Sequence, residues 1–71
     1  MPLTMAEIDK PYLVKRVGGL EDTKRHLIEL GFTEGAQVIV VSKVSGNIIV
    51  NVRGARVALD NNLAKKIFVE P

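Results

Sequence analysis

Seventy-one residues make one domain, residues 1–71, and the absence of cysteine removes the disulfides and thiolate metal sites that staple many cores of this size. Ten Lys and Arg against eight Asp and Glu leave a net charge of only +2, spread from Lys10 to Lys66, and Tyr12, Phe32 and Phe68 are the only aromatics. That is a poor stacking platform for nucleic acid. No apolar run approaches the roughly 20 residues of a membrane span, and Met1-Pro2-Leu3-Thr4 lacks the basic start and apolar core of a signal peptide; a soluble, cytoplasmic domain without membrane insertion is expected.

Along the chain, Thr4-Met5-Ala6-Glu7 has the spacing of a capping box, so a short turn with Thr4 as N-cap is expected before Pro11. Tyr12 to Val17 reads as a strand that ends at Gly18-Gly19. From Leu20 to Leu30 the apolar residues Leu20, Leu27, Ile28 and Leu30 fall together on helical spacing, with Glu21 and Asp22 in the first turn where they complement the helix dipole. Gly31 is the natural residue to stop that helix in a left-handed conformation, and Phe32 just beyond it can fold back onto Leu27. Glu34-Gly35 supplies a second turn and the chain reopens as a strand.

Gln37 to Val44 and Ile48 to Arg53 read as a hairpin around Ser45-Gly46-Asn47. A two-residue loop at Gly46-Asn47 would mix polar with apolar residues on one face. A three-residue loop with Asn47 left-handed pairs Val44 with Ile48, Ser42 with Val50 and Val40 with Val52, and this register is preferred because it gathers Val38, Val40, Val44, Ile48, Val50 and Val52 on one face. It also places Ile39 opposite Arg53 and Lys43 opposite Ile49 on the outer face. After Gly54, Ala55 to Leu59 forms another strand, Asp60 can cap a brief turn through Ala64, and Lys66 to Val69 closes the chain. Five short strands and one helix suggest a small closed or partly open barrel.

Chemistry is sparse. Asp22, His26 and Glu29 align on one helix face at spacings of four and three, which makes them the candidate metal ligands, although a lone His on a charged helix face is ordinarily just solvated and Lys24 and Arg25 lie beside it. No Ser or Thr has an oriented base, and Gly18-Gly19 lacks the Lys-Ser/Thr pair of a P-loop. No catalytic residue, metal ligand or cofactor is assigned. Arg53-Gly54-Ala55-Arg56 is harder to explain by folding alone. The outer-face residues Lys43, Ile49, Arg53 and Arg56 are therefore expected to form a docking surface for an acidic protein partner.

Taken together, Leu27 to Gly35, the strand Val38 to Val41, and Arg53 to Leu59 followed by Ala64 and Ile67 resemble the FeoA family, the small cytoplasmic component of bacterial ferrous iron transport. The likeness runs from Thr4 to Val69; Glu34 stands where the family usually has Pro. The resemblance implies a mostly β fold, an SH3-like barrel of about five short strands with one α-helix after the first strand. It also implies a non-enzymatic accessory role exercised by binding the FeoB membrane transporter and its GTP-binding domain. The alternative is a divalent-metal-binding or metal-sensing module with weak metal contact through the helix. Nucleic-acid binding, suggested only by an isoelectric point near 9.2, ranks last, and no nucleic-acid partner is expected.

Overall fold

Leu27, Gly31 and Phe32 form the joint between helix and sheet. In the computed structural model, which describes Met1–Pro71, the Phe32 N–H donates to the Leu27 carbonyl at 3.1 Å and the Gly31 N–H to the Ile28 carbonyl at 3.0 Å. Those are the two bonds of a Schellman stop, made possible by a φ of +117° at Gly31. Leu27 and Phe32 are both fully buried, so the hydrophobic contact that locks the stop also drives its aromatic into the core.

Around this joint a 3-10 turn (Leu3–Met5) leads into β1 (Pro11–Val17), α1 (Glu21–Glu29), β2 (Gln37–Val44), β3 (Asn47–Val52), β4 (Ala55–Asp60), the single-turn α2 (Asn61–Ala64) and β5 (Ile67–Glu70). The five strands form one antiparallel sheet in the order β4-β3-β2-β1-β5. It wraps around a core of seventeen buried residues with no charged side chain, in which the one polar side-chain group, the Tyr12 hydroxyl, accepts the Glu7 N–H at 3.1 Å. Five strands and an early helix are as expected. The sheet remains open, with β4 and β5 at its edges, and the N-terminal residues cover the β5 edge: the Val69 N–H donates to the Met1 carbonyl at 2.7 Å, and Pro2 bridges to Phe68. An edge paired in this way cannot recruit a foreign strand.

The N-terminal turn forms two residues earlier than the capping-box spacing suggests. Pro2 is its N-cap, no side chain caps it, and Leu3 is its buried anchor. Burial of Leu3 and Ala6 outweighs the local capping option at Thr4. The start of α1 is likewise uncapped by a side chain: Leu20 is its N-cap and stands 82% exposed, outside the apolar stripe in which periodicity places it. Asp60 does what its position suggests, accepting the Leu63 N–H at 2.8 Å to start α2.

The central hairpin differs from both sequence readings. Its loop is Ser45-Gly46, closed by the pair Val44 and Asn47, with Gly46 at φ +77°. Lys43 stands opposite Ile48 and Ser42 opposite Ile49; the register then slips by one at Val41, so Val40 meets Val50 and Val38 meets Val52. Gly46 adopts positive φ without the steric penalty Asn47 would pay, which sets the loop one residue earlier. The bulge then restores the apolar face for Val38, Val40, Val50 and Val52. Beyond the bulge the alternation is inverted: Val44, expected inside, is 56% exposed. The β3–β4 hairpin turns on Arg53-Gly54, both at positive φ (+48° and +79°), between the paired Val52 and Ala55; that sign pattern belongs to a type I′ turn, whose twist matches the flanking strands.

Candidate functional site

The four residues expected to share one docking face are distributed over three places. Directly opposed residues of an antiparallel pair lie on the same face, so the outer surface of β2, β3 and β4 carries Ile39 and Ser42, Ile49 and Asn51, and Arg56 and Ala58. Ile49 and Arg56 therefore do share a face. Ile39 and Ile49 are half-buried there, and Arg56 is exposed without an ion pair or a hydrogen bond from its side chain.

Lys43 is not on that face. The bulge at Val41 turns it to the side of Ile48, where its Nζ donates to the Thr4 carbonyl at 3.1 Å. Arg53 is not there either, and its predicted pairing with Ile39, which faces Asn51 instead, does not form. As the first residue of the type I′ turn it reaches across to the helix–strand joint, and its Nε donates to Thr33 Oγ1 at 3.2 Å while Nη2 donates to the same oxygen. Its side-chain carbons also stand beside Gly31, within 3.6 Å of where a Cβ would be. Arg53 thus couples the β3–β4 turn to the end of α1. Both partners are exposed, so the coupling is modest. A double-mutant cycle of Arg53→Ala with Thr33→Val is expected to give a coupling energy of about 0.5–1.5 kcal/mol in chemical denaturation; a value indistinguishable from zero would remove this strut.

The helix residues considered for metal binding do not converge. No three His, Asp or Glu side chains are grouped to hold an ion anywhere in the structure. The helix rises by about 10.5 Å over the seven residues from Asp22 to Glu29, too far for two short carboxylates to share one ion. The Asp22 carboxylate is occupied by Arg25 at 3.2 Å. The core likewise offers no acid, base or nucleophile beyond the Tyr12 hydroxyl, which is engaged by the Glu7 N–H at 3.1 Å.

Sequence reasoning missed two surface features. The first is the cleft between the tip of the β2–β3 hairpin and α2, lined by Lys43 and Lys65; these residues are 22 positions apart and no local pattern links them. The second lies on β1, where a bulge between Val14 and Arg16 exposes both Lys15 and Arg16. There Lys15 pairs with Glu70 at 3.4 Å, and the Arg16 guanidinium sits 4.0 Å from the centre of the Phe68 ring.

The FeoA domain model matches residues 1–71, the whole length of the chain. The chain belongs to the FeoA family. The Fe(2+) transport protein A of Methanocaldococcus jannaschii is 28% identical over 69 residues, a match that covers 97% of this chain and 84% of that protein. Among solved structures, Stenotrophomonas maltophilia FeoA complexed with zinc, described as a prokaryotic SH3 domain protein, is 33% identical with a TM-score of 0.88 and covers 99% of this chain and 89% of that one. A crystal structure of an iron uptake regulatory protein, FeoA, reaches a TM-score of 0.90 at 27% identity over 99% of this chain and 95% of that one. The SH3-like architecture of this FeoA domain is therefore shared along its full length. No helix of this FeoA domain is long and apolar enough to cross a membrane.

Proposed function

We propose that this FeoA-family chain is a non-enzymatic accessory protein of ferrous iron transport that acts in the cytoplasm by docking onto the FeoB membrane transporter at its GTP-binding domain. The observation that carries the reading is the outer face of β2, β3 and β4. Ile39 and Ile49 form a half-buried apolar centre there, beside the unpaired guanidinium of Arg56. An apolar centre rimmed by an uncompensated cation suits a partner surface with apolar and acidic groups. The non-enzymatic part of the reading is supported by a core without charged side chains, whose one hydroxyl, on Tyr12, is engaged by the Glu7 N–H, and by a single, exposed histidine.

The docking residues are accordingly Ile49 and Arg56, while Lys43 and Arg53 have structural partners of their own. Binding of the purified protein to detergent-solubilised transporter, measured in each nucleotide state, tests this. The double variant Ile49→Asp, Arg56→Glu is expected to weaken binding by about tenfold or more, the loss typical of a truncated central contact. Arg53→Ala is expected to stay within about twofold of wild type. Absence of wild-type binding in every nucleotide state, or an unchanged double variant, would sink the proposal.

A further inference from the structure

A cleft with a cavity volume of about 420 Å³ opens between the tip of the β2–β3 hairpin and α2. Its polar lining consists of Lys43, Lys65, Ser45, Asn47, Asn61 and Thr4, and none of the residues around it is acidic. Asp60, which stands opposite Asn47 in the sheet, is not among the lining residues, and its carboxylate accepts the Leu63 N–H at 2.8 Å. Two ammonium groups, two carboxamides and two hydroxyls thus line one space that contains no carboxylate.

The frame of the cleft is tied on both sides. The Asn61 N–H donates to the Gly46 carbonyl at 3.0 Å, which holds the hairpin tip against α2. Lys43 Nζ is anchored by the Thr4 carbonyl at 3.1 Å, and two of its three N–H groups remain free to point elsewhere. The side chains of Lys65, Ser45, Asn47 and Asn61 have no hydrogen-bond partner within the protein. Donors gathered around one space with no acceptor of their own, two of them cationic, favour an anion with several oxygens. A cation is repelled by both lysines, and an apolar ligand finds only Val44 and Ile48.

We propose that this cleft is a binding site for a phosphate-type oxyanion, either free phosphate or the phosphate of a small phosphorylated molecule, held between Lys43 and Lys65. The site is separate from the outer face of β2, β3 and β4, so its fate does not depend on docking to a transporter. Titration of the uniformly nitrogen-15-labelled protein with inorganic phosphate, and separately with a nucleoside diphosphate, reads it residue by residue. Saturable amide shifts are expected at Gly46, Asn47, Asn61 and Lys65, weakening as salt is raised. The double variant Lys43→Gln, Lys65→Gln, which removes both charges and keeps polar side chains at two exposed positions, is expected to bind about tenfold or more weaker, since hydrogen bonds to charged groups carry most of such affinity. Similar affinities for the two probes would identify the phosphate group itself as the ligand, and tighter binding of the diphosphate would identify a phosphorylated molecule. Shifts that fail to saturate, that chloride reproduces at equal ionic strength, or that persist unchanged in the double variant would overturn the site.

Discussion

Phe32→Ala is expected to remove about 3–5 kcal/mol of stability, the range for truncating a fully buried aromatic. The side chain has no solvent exposure. It follows directly on the Schellman stop of α1 and lies beside Val17 of β1 and Ile28 of α1, so the void it leaves has walls from more than one element and cannot simply collapse. A domain of this length has a total stability of roughly 4–11 kcal/mol, so the loss is a large fraction of the whole. Urea denaturation is expected to show a midpoint lowered by about 2 M or more, or no cooperative transition at all. Phe32→Leu retains most of the apolar volume and should lose less than half as much. A drop below about 1 kcal/mol for Phe32→Ala would mean that the site repacks and that this residue does not hold the joint.

Gly31→Ala is expected to cost about 1–3 kcal/mol through backbone strain. The new Cβ has room: the nearest atoms, on Arg53 and Val52, would lie at 3.6 Å, an ordinary contact. The obstacle is the φ of +117°, beyond even the small left-handed region that L-residues enter. At about 4–8 °C per kcal/mol for a domain of this size, thermal denaturation should shift down by roughly 5–20 °C. Gly18→Ala is the matching control. Its neighbours stand equally far off, the nearest being the Lys66 carbonyl at 3.6 Å, but its φ is not in the positive region. A change within about 0.5 kcal/mol is expected there. Equal losses at both glycines would rule out conformation as the cause.

The two substitutions probe a joint that is fully legible in the sequence. A helix stop needs a glycine, a hydrophobic residue beyond it and another three residues before the cap, and all three requirements are local. The same holds for the Asp60 cap and for a break at Gly54, although Arg53, read as the end of the strand, belongs to the turn. Asn47 shows where local reading fails. Asparagine and glycine both tolerate positive φ, and choosing Gly46 over Asn47 shifted every pair beyond the turn by one. A bulge at Val41 that no residue type announces then adds a second shift, which returns Val38 and Val40 to the apolar face but gives Val40 Val50, not Val52, as its partner. Leu20 shows the complementary failure: helical periodicity assigns it to the buried stripe, yet it lies at the exposed helix start, where the sheet no longer reaches.

The candidate site was only partly legible for the same reason. Ile49 and Arg56 share the outer face because β3 and β4 are joined by a two-residue turn, whose short closure leaves little freedom of register. Lys43 and Arg53 were placed by extending the wrong β2–β3 register, and in a sheet of period two an error of one residue moves a side chain to the opposite face. By itself, then, the sequence determined the elements, their order, the helix stop and the family, because each rests on residues adjacent in the chain or on motifs read in order. Only the tertiary structure decided which face each cation occupies: that depends on a bulge, on an arginine spanning the 20 residues back to Thr33, and on two lysines brought together across a cleft by separate elements.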